Sequence, residues 1–335
     1  MKIVNFGSLN VDYVYRVPHV IVKGETLAST SRNIFSGGKG LNQSVALSRA
    51  GLPVYHAGCI GQGGEILLDV LKDSGVNTDF VRNLPDVPVG HTIIQNTDDG
   101  DNCIILFGGA NQAVSEEQVD ETLSHFEEGD WIVLQNEISC LKYIMEKAHE
   151  RGMKIVLNPS PMNDKISGLP LEYVDYFFVN EIEAGQIIGK SADEKQVKKE
   201  DPENQNAGIT TENQNTGIIG ANQNADITAE NTEKLVTGLK KTFPNAHVIL
   251  TLGSAGSVYI YQQEVLYQQI YKVKAVDTTA AGDTFTGYFL AAVIGGKTPT
   301  QALRLASRAS SITVSRPGAA PSIPYLQEVE IHENT

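Results

Sequence analysis

The sequence predicts an α/β fold: a doubly wound, mostly parallel sheet with helices on both faces, plus a small β lid. Three observations predict it. Strand-like apolar runs alternate with helical patterns along most of the 335 residues, and such βα alternation winds strands into a parallel sheet covered on both sides. Two glycine-rich segments run directly into helical patterns, at 35–51 and 277–285. In sheets of this kind ligands gather at the carboxyl ends of the strands, where such loops lie. Two further stretches, 11–35 and 90–107, alternate in strand fashion without helical period and read as a small separate β element.

In chain order, 3–7 is the opening strand and 41–49 the first helix, with Val45, Leu47 and Ala50 on its apolar side and Gly51 as its stop. Strand 54–59 and helix 66–73 follow. Within 90–107 the turn Asp98-Asp99-Gly100-Asp101 marks a hairpin. Helix 116–126, strand 131–134, helix 140–151, strand 154–157, strand 176–179 and helix 181–188 continue the alternation. Helix 233–242, strands 248–251 and 257–261, a strand-like run 271–276, and helices 284–294 and 299–314 complete it. In 284–294, Phe285, Tyr288, Phe289, Ala292 and Val293 recur at helical spacing.

A single domain over 1–335 suits this length. With 41% hydrophobic and 20% charged residues the composition is that of an ordinary globular protein. The formal charge of −14 argues against nucleic acid and anionic membrane surfaces as partners. Cys59, Cys103 and Cys140 are widely spaced and odd in number, which reads as buried reduced thiols. The start lacks the form of a signal peptide and no apolar run reaches spanning length, so a cytoplasmic location is expected. One segment stands apart. Residues 203–229 hold three copies of a polar nonapeptide, beginning Glu203-Asn204-Gln205-Asn206, Glu212-Asn213-Gln214-Asn215 and Ala221-Asn222-Gln223-Asn224. Copies with so little apolar content bury almost nothing, and they read as a surface insertion without catalytic work.

The segment Asp277-Thr278-Thr279-Ala280-Ala281-Gly282-Asp283-Thr284-Phe285 carries the most chemistry. Small residues there leave the N–H groups of Ala280, Ala281 and Gly282 free to point outward at a helix start. Unpartnered amides and the helix dipole favour an anion such as phosphate at that place. Asp283 beside such a cradle is either a proton acceptor or only an N-cap or first-turn acid; the segment alone leaves both open. The other segment, Phe35-Ser36-Gly37-Gly38-Lys39-Gly40-Leu41-Asn42-Gln43, offers close backbone approach, a cation and an amide to a polyhydroxylated ligand.

Together, in this order and spacing, the two segments resemble the paired signatures of the ribokinase-like (PfkB) carbohydrate kinase family, in its ribokinase branch. The likeness extends to Asn10 and Asp12 after the first strand, Leu134-Gln135-Asn136-Glu137-Ile138, Leu157-Asn158-Pro159-Ser160-Pro161, Asn180-Glu181-Ile182-Glu183, Thr251-Leu252-Gly253 and Arg316-Pro317-Gly318-Ala319-Ala320-Pro321-Ser322. The resemblance implies a ribokinase-like fold and phosphoryl transfer from ATP to a primary hydroxyl of a pentose, most directly ribose to ribose 5-phosphate. It assigns Asn10, Asp12, Gly38, Lys39, Asn42 and Glu137 to the sugar, Asp283 as base, and Ala280, Ala281 and Gly282 as anion hole. Asn180, Thr251 and Gly253 fall to the nucleotide and Glu183 to Mg2+ through water. Asp277, Thr279, Gly318 and Ser322 surround a monovalent cation, K+, and the lid makes a homodimer.

One departure is Gly61-Gln62-Gly63-Gly64-Glu65, which lacks the acid that many members have in a GxDxxG segment. Ala184-Gly185-Gln186-Ile187-Ile188-Gly189-Lys190-Ser191 satisfies a relaxed P-loop pattern, but it sits inside a helical run that Gly189 is expected to stop. The seven histidines show no zinc spacing, and the acids at 98–101 lack the final bidentate acid of a calcium loop. Two alternatives stay open: a family kinase for another sugar or a nucleoside, and a sugar- or nucleotide-binding sensor that performs no transfer.

Overall fold

A computed structural model describes residues 1–97, 102–197 and 229–331. The chain begins β1 (Ile3–Phe6), β2 (Asn10–Arg16), β3 (Ser31–Gly37), α1 (Lys39–Arg49), β4 (Val54–Gln62), α2 (Glu65–Asp73), β5 (Asn77–Pro88), β6 (Gly90–Asn96) and β7 (Asn102–Phe107). It continues with α3 (Glu116–Leu123), β8 (Trp131–Gln135), α4 (Leu141–Glu150), β9 (Lys154–Asn158), β10 (Tyr176–Asn180) and α5 (Glu181–Val197). The last part holds α6 (Ala229–Thr242), β11 (His247–Thr251), β12 (Ser257–Tyr261), β13 (Glu264–Gln268), α7 (Ala281–Ile294), α8 (Pro299–Val314) and α9 (Leu326–Ile331).

The large sheet has the order β13-β12-β11-β10-β9-β8-β1-β4-β5. Neighbours from β11 to β5 are parallel, and β12 and β13 add as an antiparallel ribbon. Strand side chains alternate between faces, and a sheet covered on both sides must be apolar on both. Ile3, Val133, Phe178 and Ile249 accordingly join one core with residues of α1, α2, α7 and α8, while Val4, Ile132, Phe177 and Leu250 join the other with α3 to α6. The chain winds outward from β1 through β4 to β5, then returns to β8 on the other side of β1 and winds to β11. That reversal opens a crevice past the carboxyl ends of β1 and β8. The stretches 11–35 and 90–107 supply a separate four-stranded sheet, β3-β2-β6-β7.

Several local expectations are corrected. The run 271–276 is no strand: the chain leaves the sheet at Gln268, and Val276 and Asp277 instead donate their N–H groups to Val314 O at the end of α8. Its apolar residues Val273 and Val276 are exposed. The edge strands β5 and β13 carried no readable pattern because an edge strand has only one neighbour to satisfy. Gly189 does not stop α5, which runs on to Val197. Cys59 is buried, but Cys103 is exposed on β7. The turn 98–101 and nearly all of the insertion 203–229 lie outside the described residues.

Candidate active site

The site is built where α1 and α7 approach each other over the sheet. Gly40 sits against the turn after β1, where a Cβ would meet Ser8 N at 2.2 Å; only glycine lets α1 start this close. Further along, Gly287 of α7 faces Ala46 of α1, where an added Cβ would lie 2.5 Å from Ala46 Cβ. One turn before each of these residues stand Asp283 and Asn42. Asp283 is buried; its Oδ2 accepts from Asn42 Nδ2 at 3.1 Å and its Oδ1 from Gln43 Nε2 at 2.9 Å.

Asp283 is an acid of the first turn of α7 and not its N-cap. The N-cap of α7 is Ala280, in the left-handed region at φ 61, and no side chain caps it. Asp283 spends its acceptors on α1, a different helix. Ala280, Ala281 and Gly282 line the same cavity as Asp283. One correction applies to the cradle: Ala281 N–H turns back to Thr278 O at 3.3 Å, a long bond. The helix start is braced from behind by α8, where Ser310 Oγ donates to Ala281 O at 2.7 Å and Thr313 meets Thr284 at 3.0 Å between hydroxyls.

The cavity measures about 1030 Å3. Asn10, Asp12, Gly38, Lys39, Asn42, Glu137, Asn180, Glu183, Thr251, Asp277, Thr279 and Gly318 stand on its wall, but Gly253 and Ser322 do not. Five carboxylates (Asp12, Glu137, Glu183, Asp277 and Asp283) face two cations, Arg16 and Lys39, across it. Burial pushes the Asp12 carboxyl up to about 6; the Thr92 hydroxyl, donating to Oδ1 at 2.5 Å, opposes this and the charge of Glu137 adds to it. Burial also raises Glu137, against the pull of Lys39 and of the Ser8 hydroxyl that donates to it. For Lys39 burial acts downward, yet Asp283, Glu137 and Glu183 outweigh it and hold the ammonium above its ordinary range. Lys39 is thus the shared counter-charge of the acids around it.

Asn180 and Glu183 form a reciprocal cap at the start of α5: Glu183 N–H donates to Asn180 Oδ1 at 2.8 Å and Asn180 N–H to Glu183 Oε2 at 3.0 Å. Thr251 Oγ1 reaches Val179 O at 3.4 Å. Asp277 ties its own corner together, accepting from Thr279 N–H at 2.9 Å, Thr279 Oγ1 at 2.6 Å and Gly318 N–H at 2.9 Å. Burial acts upward on this carboxyl, but those bonds outweigh it and hold its pKa below the ordinary value. The Ser322 hydroxyl is buried and turned toward Ala319 O at 2.7 Å.

Sequence reasoning missed the residues that hold the cavity-lining groups of Asn10, Asp12 and Glu137. Asn111 Nδ2 donates to Asn10 Oδ1 at 2.7 Å, which leaves the Asn10 amide nitrogen for a ligand. Thr92 orients Asp12 and Ser8 orients Glu137. Asn111 and Thr92 carry no local signal; Ser8 and Gln43 lie inside segments already singled out.

A family model described as pfkB family carbohydrate kinase matches residues 1–214 and 218–326. The chain belongs to the pfkB family of carbohydrate kinases. Among its relatives is a protein named ribokinase from Schizosaccharomyces pombe, 32% identical over 341 residues and covering 98% of this chain and 97% of the relative. Another ribokinase, from Haemophilus influenzae, is 30% identical over 330 residues and covers 96% and 95%. Among solved structures, the ribokinase of Arabidopsis thaliana complexed with ribose and ATP superposes with a TM-score of 0.75 at 28% identity, covering 98% of this chain and 97% of that one. The pfkB assignment agrees with the ribokinase-like sheet described above. Among the described residues no helix is long and apolar enough to cross a membrane.

Proposed function

We propose that this pfkB-family protein is an ATP-dependent sugar kinase that converts ribose to ribose 5-phosphate. The observation that carries the reading is Asp283: a buried carboxylate in the first turn of α7, beside the Ala280–Gly282 turn, held by the sugar-motif residue Asn42 of α1. A carboxylate placed between an anion cradle and a polyhydroxyl pocket has the position of a proton acceptor. As the sugar hydroxyl oxygen forms its bond to the γ-phosphorus, its proton passes to Asp283. The bond from phosphorus to the bridging oxygen breaks and ADP leaves with that electron pair.

Asn10, Asp12, Lys39, Asn42 and Glu137 orient the sugar, and the amides at the start of α7 receive the charge on the transferred oxygens. The wall is rich in carboxylates, so a nucleotide polyphosphate needs added positive charge. Mg2+ supplies it when bound with ATP. Glu183 has one oxygen engaged by Asn180 N–H and suits a contact through water. Asp277, Thr279 and Gly318 meet at one corner of the cavity, where the Asp277 carboxylate would supply the charge that holds K+. Ser322 adds its oxygen there only if its hydroxyl keeps the bond to Ala319 O.

The small sheet acts as a lid. Val14, Ile94, Ile104 and Leu106 face the cavity, while Ile34, Ile93, Ile105 and Phe107 are exposed; strand alternation places these on the opposite face. Among the described residues β7 is an open edge, with every residue exposed. Such an apolar edge supports pairing of two copies into a homodimer. A cytoplasmic location accords with a substrate of this kind.

The test is ADP release over a panel of ribose, deoxyribose, ketohexoses and nucleosides with Mg2+, repeated with Asp283→Asn. Ribose should give the highest kcat/KM, and the variant should lose about a hundredfold or more in turnover. Sugar and ATP binding without ADP release by the wild type would make the protein a sensor, and a nucleoside preference would move the substrate.

A further inference from the structure

We infer that Gln43 and Gln135 are positioning residues for the base, forming with Asn5 a chain of side-chain amides whose polarity is fixed at one end by a backbone carbonyl and which presents an N–H to Asp283 at the other. The inference rests on the kinase reading above. Its starting point is an oddity of the sheet. Directly beneath α1, where the central strands should be apolar, stand Asn5 of β1, Gln135 of β8 and His56 of β4, all fully buried. Buried polar groups are costly unless their bonds are made; here most are made in one connected line, and Gln135 Oε1 and His56 Nε2 are left without a partner among the described residues.

Gly40 O can only accept a hydrogen bond, so the Asn5 group 2.7 Å from it must be the amide nitrogen. Asn5 Nδ2 also reaches Ser44 Oγ at 2.9 Å, and Ser44 Oγ meets His56 Nδ1 at 2.8 Å. Burial lowers the pKa of His56 to about 4, so its imidazole is neutral and Nδ1 can accept a hydrogen bond from the Ser44 hydroxyl. With Nδ2 committed, Asn5 must offer Oδ1 on its other side, and Gln135 Nε2 donates to it at 3.0 Å. The same Gln135 nitrogen donates to Gln43 Oε1 at 2.7 Å. Gln43 is left with its nitrogen facing Asp283 Oδ1 at 2.9 Å. Turning any one amide over would set oxygen against oxygen, or nitrogen against nitrogen, at its contacts.

The consequence falls on Asp283. Its Oδ1 meets an N–H that cannot be turned away, so a proton on that side of Oδ1 would clash with it. Oδ1 is held as a hydrogen-bond acceptor and the carboxyl in one rotamer. Oδ2 also accepts an N–H, from the cavity-lining Asn42 at 3.1 Å, but Asn42 Oδ1 has no partner among the described residues to fix that amide, so Oδ2 is the oxygen that can receive the hydroxyl proton. Gln43 itself does not line the cavity. Its effect is on the carboxylate and not on sugar or nucleotide.

The experiment compares Gln43→Met, which keeps the volume and removes the amide, with wild type and in an Asp283→Ala background. In the wild-type background kcat should fall about tenfold or more, the range for a lost bond to a charged group, with both KM values changed less than about twofold. In Asp283→Ala the same substitution should change the residual kcat less than about twofold. Gln135→Met, which leaves the last bond but unlocks its polarity, should give a smaller fall in kcat with the same unchanged KM values. A folded Gln43→Met enzyme with wild-type kcat, or an equal loss in both backgrounds, would reduce the chain to packing. Should neither variant fold, the Gln43 side-chain amide resonances of wild type and Asp283→Ala carry the test. They should show slow exchange and a large shift between the two proteins, and identical resonances overturn the inference. If the wild type releases no ADP with any sugar, it is the kinase reading that fails; if it does and Gln43→Met is unaffected, only the positioning role fails.

Discussion

Replacing Gly287 by alanine adds one methyl group at the closest approach of α1 and α7. The new Cβ would stand 2.5 Å from Ala46 Cβ and 2.8 Å from both Ala46 C and Leu47 N. Carbon atoms in good contact lie about 3.5–4.0 Å apart, so the helices must part by roughly 1 Å. Two of the three atoms met are backbone, and no side-chain rotation relieves them. Asp283 and Asn42 lie one turn away on the same two helices, so their bond of 3.1 Å and the Gln43 bond of 2.9 Å stretch to or beyond hydrogen-bonding range. The effect on stability is small by comparison. Overpacking costs about 1–3 kcal/mol, and removing glycine from a helix interior offsets about 0.5–1 kcal/mol of it. The net of about 0–2.5 kcal/mol corresponds to a fall of several degrees at most in Tm for a domain of this size. The effect on chemistry is large, since a misplacement near 1 Å costs up to about a hundredfold in rate. Steady-state ADP release at saturating sugar and ATP, run beside thermal denaturation, separates the two. We expect kcat to fall tens of times while Tm falls a few degrees. A folded Gly287→Ala enzyme with turnover within about threefold of wild type would falsify the claim that α1–α7 spacing sets the position of the base.

Asp12 gives a pH signature. Its folded-state value of about 6 lies above the ordinary 3.8, so this cavity-lining carboxylate is lost as pH falls through 6; with Asp12 holding the sugar as proposed, KM for the sugar should rise below that point while Asp12→Asn shows no such limb. For stability the sign is opposite: the folded state holds the proton more tightly, so this group's contribution is full below about 4 and is lost as pH rises through about 6, which chemical denaturation of wild type against Asp12→Asn measures. Potassium should raise turnover more than sodium at equal ionic strength, with a smaller effect in Asp277→Asn; equal activity in a buffer free of both ions would remove the cation site. Deleting 203–229 with a short glycine linker should leave kcat and both KM values nearly unchanged, because α5 and α6 already pack together, with Gly238 against Ile188; a raised KM for ATP in a folded deletion protein would give the insertion a role at the nucleotide.

Much of this protein is determined by local sequence. The alternation of strand and helix fixed the sheet class, and the glycine loops at 35–51 and 277–285 located the two walls of the cavity. These signals are legible because a helix period, a glycine turn or an acid at a helix start expresses itself within a few residues. Packing decided the rest. Whether Val273 and Val276 belong to a strand depends on a neighbouring strand that is not there, and β5 and β13 exist because one edge partner accepts them. The contacts of Asp283 depend on a glycine at 287 and an alanine at 46 that bring two helices together. The amide chain joins positions 5, 43, 135 and 283, and its direction starts from the carbonyl of Gly40. Hydrogen bonds between residues so far apart in sequence leave no periodicity, so only the folded arrangement of α1 over β8, β1 and β4 could reveal them.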